Sequence, residues 1–218
     1  SFADPVHTVY NPLDYARRPH LEYLKRFGRG RKRIVMLGMN PGPWGMSQTG
    51  VPFGEIEAVR DWMGISARVD RPDPEHPKRP ISGFDCPRSE VSGRRLWGYF
   101  RELYPDPADF FADHIVLNYC PLVFMEESAR NRTPDKLPRA EREPLEAACD
   151  RALRAFIEAW RPEWILGVGA FAAKRARAIF GDEDFRIASI PHPSPASPAA
   201  NRGWAALAEK RLIELGLA

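Results

Sequence analysis

The stretch RIVMLGMNPGPWGMSQTGVPFG, residues 33–54, places a short apolar segment directly before a long loop of glycines and prolines. The apolar segment, residues 33–37, has the length and composition of a buried β-strand. A nucleotide-binding protein would follow such a strand with glycines and the start of a helix. This chain continues instead with Asn40, two prolines, Trp44 and a proline-aromatic pair that ends in Phe53. Loops of this kind lie on protein surfaces, so the loop is the first candidate for a functional segment.

The rest of the chain alternates between strand-like and helix-like segments. Besides residues 33–37, strands are predicted over residues 113–119, 163–169 and 185–190. Helices are predicted over residues 12–27, 55–63, 89–103, 141–160, 170–180 and 199–215, and proline-rich loops over residues 68–80 and 130–138. This alternation predicts a three-layer α/β/α fold, with helices on both faces of a central four-stranded, mostly parallel sheet. We expect a single domain over residues 1–218, because neither loop is long enough to separate two.

The composition restricts the partners of the chain only weakly. A net charge of +3 permits nucleic-acid binding without arguing for it. Six basic residues before the first strand either suit phosphates or form a solvated turn: Lys25, Arg26, Arg29, Arg31, Lys32 and Arg33. Three cysteines without CxxC spacing argue against a metal site and fit a reducing, cytoplasmic interior. No segment has the pattern of a membrane span or a signal peptide, so we expect a cytoplasmic protein without membrane contact.

Asn40, Asn118 and His192 each lie at or just beyond the end of a predicted strand. Ligands of parallel sheets bind at the carboxyl ends of strands, so these side chains are expected to converge. An amide offers a donor and an acceptor to a pyrimidine edge, the Phe53 ring offers a stacking face, and a histidine can donate to a developing negative charge. Each also has a structural interpretation, as a turn cap, a strand end or a packed ring. These loops hold no carboxylate base and no metal cluster, so they suit a reaction driven by departure of a leaving group.

Three motifs match a known family in order: GMNPGPWGMSQTGVPFGE at residues 38–55, NYCPLVF at 118–124 and HPSPASPAANRGWAALAEKRLIELG at 192–216. The chain resembles the single-strand-selective monofunctional uracil-DNA glycosylases, a branch of the uracil-DNA glycosylase superfamily. The resemblance implies a base excision repair enzyme that flips a damaged base, hydrolyses its N-glycosidic bond in single- or double-stranded DNA and leaves an abasic site. It implies uracil and 5-substituted uracils such as 5-hydroxymethyluracil as substrates, and leaves xanthine open. It also predicts a monomer whose partner is DNA and which needs no cofactor or metal.

The resemblance also implies a role for each matching residue. Asn40 would position the attacking water, and His192 would stabilise the departing uracil anion through its O2. Phe53 would stack on the flipped base, and Asn118 would form the hydrogen bonds that distinguish uracil from cytosine. Met39, Gly42 and Met46 would line the pocket.

Two residues depart from the best-known branch of the superfamily, which has Asp in place of Asn40 and Tyr in place of Gly42. A neutral amide cannot accept a proton as a carboxylate can, so catalysis would depend more on His192. Gly42 would leave space beside the 5-position of the pyrimidine, which is how the family is thought to accept 5-hydroxymethyluracil.

The last motif would enter the duplex and help to expel the base, since a proline-rich loop loses little entropy on insertion. Some relatives carry an arginine where this chain has Ala196, and the nearest arginine here is Arg202. Backbone amides, two side chains of the loop and the basic residues before the first strand would contact phosphates. The residues implied in DNA binding are Pro193, Ser194, Pro195, Ala196, Asn201, Arg202 and Gly203.

Two alternatives stay open at this point. The neutral Asn40 is compatible with a non-catalytic module that binds damaged bases or single-stranded DNA. Hydrolysis of free nucleosides or nucleotides would use the same chemistry, but the wedge-like segment PSPASPAANRG, residues 193–203, argues against it.

Overall fold

The computed structural model describes residues 2–181 and 183–217 of the chain. In chain order, the strands are β1 (Thr8–Tyr10), β2 (Ile34–Gly38), β3 (His114–Asn118), β4 (Val123–Met125), β5 (Asn131–Arg132), β6 (Trp164–Val168) and β7 (Arg186–Ile190). The α-helices are α1 (Pro12–Tyr15), α2 (Arg17–Phe27), α3 (Met46–Thr49), α4 (Val91–Leu103), α5 (Pro107–Asp113), α6 (Arg139–Trp160), α7 (Ala170–Phe180), α8 (Pro198–Asn201) and α9 (Trp204–Glu214). A π-helical turn lies at Ala58–Trp62, and 3₁₀ turns lie at Gly83–Asp85 and Pro134–Lys136.

The central sheet has the strand order β3-β2-β6-β7, and every neighbouring pair is parallel. Strand β2 lies inside this sheet and all five of its residues are buried, which explains why its sequence is apolar without alternation. The predicted α/β fold with a four-stranded central sheet is confirmed, and the sheet is parallel throughout. Because the strands are parallel, the residues that follow them meet at one edge of the sheet, here called the carboxyl edge.

A small antiparallel sheet of β1, β4 and β5 is absent from the sequence prediction. These strands have three, three and two residues, too few to show the alternation that identifies a strand. Strand β5 lies inside residues 130–138, which are predicted as a loop. After β3 the chain passes through Leu122 and then enters β4. The pairing of β4 in the small sheet therefore fixes the path of the chain after β3.

Most predicted helices exist, but three of them are interrupted. Residues 12–27 divide into α1 and α2 at Ala16, and the helix predicted over residues 55–63 contains the π-helical turn. The last helix divides into α8 and α9, where Gly203 adopts a φ of 139° that residues with a side chain rarely adopt. Helix α5 is absent from the sequence prediction, because its seven residues are too few to establish a helical period. None of the helices in the described part of the chain is both long and apolar enough to cross a membrane.

The basic residues before β2 lie at the edge of the sheet opposite the carboxyl edge. Lys32 is buried, and its Nζ donates to the carbonyl of Phe111. Arg31 and Arg33 lie 3.7 and 3.6 Å from carboxylate oxygens of Glu163. Parallel strands place their amino ends on the far side of the sheet, so the cluster does not line the carboxyl edge. That the cluster assists phosphate binding stays a prediction.

Candidate active site

A cavity of about 400 Å³ opens at the carboxyl edge of the central sheet, within the usual size range of small-ligand pockets. The residues that follow β2 and β7, the end of β3 and the start of α4 line it. Every residue predicted as catalytic or base-binding is among its lining residues: Met39, Asn40, Gly42, Met46, Phe53, Asn118 and His192. The fold therefore brings these distant parts of the chain into one pocket.

Asn118, the last residue of β3, has a buried side-chain oxygen without a hydrogen-bond partner among the described residues. Its Nδ2 donates to a sulfur atom, Sδ of Met46, at 3.3 Å. Sulfur is a weak acceptor, so a ligand can take over both ends of the amide. A buried polar atom without a partner costs about 1–3 kcal/mol, so a ligand that offers a donor at this point binds with a corresponding gain.

Phe53 packs against the end of β2 in a strained backbone conformation. Its φ is 53°, which bulky residues seldom adopt, and its side chain is buried. A Cβ on Gly38 would lie 2.6 Å from the Phe53 ring and closer still to the side-chain oxygen of Asn118, so only glycine fits there. A strained residue beside a required glycine indicates that the position of the ring matters for function.

The amide of Asn40 is tied to the small antiparallel sheet. Its Nδ2 donates to the carbonyl of Leu122, just before β4, at 3.2 Å. The next residue, Pro41, accepts through its carbonyl from Nδ2 of Asn131, on β5, at 3.3 Å. Because the nitrogen of Asn40 is engaged as a donor, the side-chain oxygen is left as an acceptor, and its orientation is defined.

The ring of His192 is oriented by the backbone and is uncharged at neutral pH. Its Nδ1 accepts from the backbone N–H of Ser194 at 3.0 Å, so the proton of the neutral ring lies on Nε2. Burial lowers the pKa of His192, which favours this neutral form. Gly169 permits the close packing, since its φ is 96° and a Cβ there would lie 3.2 Å from the ring. The result is a neutral N–H donor in the wall of the cavity.

A carboxyl group also lines the cavity, although the loops at the carboxyl edge supply none. Glu90 precedes α4 and accepts from the backbone N–H of Trp44 at 3.3 Å. Burial raises the pKa of Glu90, against the opposing effect of hydrogen bonds from the backbone N–H groups of Trp44 and Ser92. A Cβ on Gly42 would lie 2.8 Å from Cδ of Glu90. The space that was expected to be open beside Gly42 is therefore bounded by this carboxyl group.

Further polar groups of the cavity come from segments without a predicted function. Ser92 belongs to α4, Asn131 to β5, and Thr133 follows β5. The side-chain oxygen of Asn131 is buried and lacks a partner within residues 2–181 and 183–217. The same part of the chain contains no group of three or more His, Cys, Asp or Glu residues that could hold a metal ion.

The loop after β7 contains the predicted DNA-binding residues and is held by an arginine outside it. Arg95, on α4, donates from Nη1 to the carbonyl of Pro193 at 2.9 Å and from Nη2 to Oδ1 of Asn201 at 2.8 Å. Nδ2 of Asn201 donates in turn to the carbonyl of Pro195 at 2.8 Å. These bonds tie both ends of the loop to α4. Among the predicted DNA-binding residues, Pro193 is buried and Ser194 is half-buried. The other five are exposed: Pro195, Ala196, Asn201, Arg202 and Gly203.

Comparison with known proteins gives consistent results. Residues 25–212 match the family described as the uracil DNA glycosylase superfamily. The single-strand selective monofunctional uracil-DNA glycosylase of Rattus norvegicus is 50% identical over 99% of this chain and 78% of its own length. The proteins of the same name from Mus musculus and Bos taurus are 50% and 48% identical over 99% of this chain, and over 78% and 80% of their own lengths. The crystal structure of wild-type Pedobacter heparinus SMUG2 has a similar fold, with a TM-score of 0.72 at 15% identity over 99% of this chain and 89% of that one.

Proposed function

The chain belongs to the uracil DNA glycosylase superfamily and, within it, to the single-strand selective monofunctional uracil-DNA glycosylases, and from this premise we propose a mechanism and a substrate range. The chain is a DNA-repair enzyme with uracil-DNA glycosylase activity. Our proposal is that Asn40 and His192 carry out the reaction and that 5-hydroxymethyluracil is a second substrate. One observation carries it: the amides of Asn40 and Asn118, the ring of Phe53 and the neutral His192 line a single cavity of about 400 Å³.

Asn118 would read the edge of the flipped base. Uracil presents a donor, N3–H, beside an acceptor, O4, and these complement the unpaired oxygen and the weakly engaged nitrogen of this amide. Cytosine presents an acceptor at N3, which would face the amide oxygen and leave both groups unpaired. Stacking on Phe53 would add about 1–3 kcal/mol without distinguishing the bases.

His192 would stabilise the leaving group, and Asn40 would orient the nucleophile. When the bond between C1′ and N1 breaks, its electron pair goes to the base and negative charge develops on O2. The Nε2–H of His192 is a preorganised donor for that oxygen, worth about 2.7–4 kcal/mol. Water then attacks C1′, while the side-chain oxygen of Asn40 accepts a hydrogen bond from that water. The proton that the water loses passes through solvent to the uracil anion, so the products are an abasic site and neutral uracil.

Glu90 would set the substrate range at the 5-position. With Gly42 beside that position, the substituent would meet the carboxyl group of Glu90. The hydroxyl of 5-hydroxymethyluracil can donate to this carboxyl group. The methyl group of thymine cannot, and it would cover a buried polar group without pairing it. We therefore expect 5-hydroxymethyluracil to be accepted and thymine to be rejected.

The direct test is release of bases from oligonucleotides that contain uracil, 5-hydroxymethyluracil, xanthine or thymine, in single and double strands, with a chelator present. Alkali-labile abasic sites should form with the first two bases. Tight binding of uracil-containing DNA without any release would overturn the proposal and favour the non-catalytic binding module. The single domain, the monomeric state and the cytoplasmic location stay predictions.

A further inference from the structure

Trp44 carries two guanidinium groups on its indole ring. Cζ of Arg79 lies 5.0 Å from the ring centroid, and Cζ of Arg88 lies 4.9 Å from it. Both distances are within the range of a cation–π interaction. Arg79, Trp44 and Arg88 are here called the Arg–Trp–Arg stack. None of the roles assigned above to the cavity uses it.

The stack is anchored to the same framework as the cavity. The carbonyl of Arg79 accepts from the hydroxyl of Tyr10 at 2.8 Å, and the backbone N–H of Trp44 donates to Glu90 at 3.3 Å. Gln48 joins the two loops that carry the stack, since its Nε2 donates to the carbonyls of Pro43 at 3.3 Å and Pro80 at 3.1 Å. The backbones of Arg79 and Trp44 are therefore held in place before any ligand arrives.

The two arginines of the stack lack a balancing negative charge. In the part of the chain that the structure describes, no carboxylate oxygen lies within 4.0 Å of either guanidinium group. Nε of Arg79 is buried and has no hydrogen-bond partner among the described residues, and the side chain of Arg88 is exposed. By contrast, Arg132 lies 3.2 Å from Glu126. Two neighbouring cations without an ion-pair partner favour an anionic ligand.

The stack adjoins residues that line the cavity. Pro43, which precedes Trp44, lines the cavity, and so does Glu90, which follows Arg88 by two positions. We propose that the Arg–Trp–Arg stack binds a backbone phosphate of the DNA strand whose base enters the cavity. Guanidinium groups suit this ligand because they form paired, charge-assisted hydrogen bonds to phosphate oxygens while their flat faces stay stacked on an aromatic ring. The contact would position the strand without reading its sequence.

The test measures the affinity for an undamaged single-stranded oligonucleotide at several salt concentrations. Arg88→Gln is compared with Arg29→Gln, which removes the same charge from an exposed residue near the opposite edge of the sheet. Loss of one phosphate contact should lower the slope of log Kd against log salt by about 0.7. Between about 50 and 200 mM salt, the wild-type protein should therefore lose about threefold more affinity than Arg88→Gln. Equal slopes for Arg88→Gln and Arg29→Gln would overturn the proposal.

A second variant tests the indole. Trp44→Leu changes no charge, but it removes the surface that holds both guanidinium groups, so weaker binding than in the wild-type protein is expected. Affinity equal to that of the wild-type protein would show that the indole does not position them. Because the oligonucleotide offers no base to excise, these results do not depend on the proposed reaction. Release of uracil by the same wild-type preparation shows separately whether the proposed function fails.

Discussion

The backbone N–H of Ser194 donates to Nδ1 of His192 at 3.0 Å, and this single bond decides which ring nitrogen carries the proton. With Nδ1 as the acceptor, the neutral ring has its donor at Nε2. The two residues belong to the rigid segment after β7, so the tautomer is a property of the loop and precedes any contact with substrate. A donor that is prepared in this way needs no rearrangement when charge develops on the leaving base.

Replacing His192 should slow the chemical step and spare DNA binding. We expect His192→Ala to reduce the rate of uracil release by about 10²–10³-fold, because one preorganised donor to the leaving group is lost. Single-turnover release at saturating enzyme measures the step directly, and the Kd for undamaged DNA should stay unchanged. His7→Ala, at an exposed histidine, is the matched control. Release at the wild-type rate by His192→Ala would remove His192 from the mechanism.

The lowered pKa of His192 also predicts how its contribution to stability depends on pH. A histidine whose pKa is lower in the folded chain binds fewer protons there than in the unfolded chain, over an interval below its ordinary value of about 6.5. Its contribution to the free energy of unfolding therefore falls as the pH falls through that interval. Burial also lowers the pKa values of His20 and His114, so the contribution of His192 must be isolated by difference.

The difference in the free energy of unfolding between the wild-type protein and His192→Asn should narrow as the pH falls from about 7 to about 5. Denaturant titrations at a series of pH values measure it. A difference that stays constant over this range would show that the ring is not buried in its neutral form.

Asn118 should matter for the substrate and not for the fold. Asn118→Leu keeps the size of the side chain but removes a buried oxygen that has no partner in the described part of the chain, so the free energy of unfolding should stay unchanged or rise. Uracil release should fall by at least about tenfold, since two hydrogen bonds to the base are lost. Asn11→Leu should show the opposite pattern, because Asn11 caps α1 and accepts from Leu13 at 3.2 Å. A loss of stability in Asn118→Leu with normal release would contradict the assignment.

The carboxyl edge of the site could be predicted because it follows from the alternation of strands and helices along the chain. The apolar run of β2 and the alternation of strands and helices predict a parallel sheet, and a parallel sheet brings the ends of β2 and β3 and the loop after β7 to one edge. Asn40, Asn118 and His192 could therefore be grouped without knowledge of any side-chain contact.

The parts that could not be predicted depend on contacts between segments without a periodic pattern. Glu90 reaches Gly42 because the start of α4 packs beside the loop after β2, and no spacing in the sequence records that contact. The anchor of Asn40, Leu122, lies just before a strand that is too short to be recognised. Likewise, the tautomer of His192 follows from a backbone hydrogen bond that residue types alone do not indicate.

Glu90 should control the choice between 5-substituents. Glu90→Ala removes the carboxyl group beside Gly42, so the preference for 5-hydroxymethyluracil over thymine in kcat/KM should fall by at least about tenfold. Uracil, which has only a hydrogen at this position, should be affected less. Glu158→Ala, at an exposed glutamate on α6, is the control for the same change. An unchanged ratio of the two rates in Glu90→Ala would show that another group reads the 5-position.

Adding one methyl group to Gly38 should disable the site, because this position has no space for a side chain. A Cβ there would lie 2.6 Å from the ring of Phe53, whose φ is 53°, so the ring would have to shift. We expect Gly38→Ala to cost about 1–3 kcal/mol of stability and to reduce uracil release by about 100-fold through misplacement of the ring and of Asn118. Gly98→Ala is the matched control, since nothing lies within 4 Å of its added Cβ on α4. Gly98→Ala should be more stable than the wild-type protein by up to about 1 kcal/mol and fully active. Uracil release at the wild-type rate by Gly38→Ala would show that the Phe53 ring can move without loss of activity.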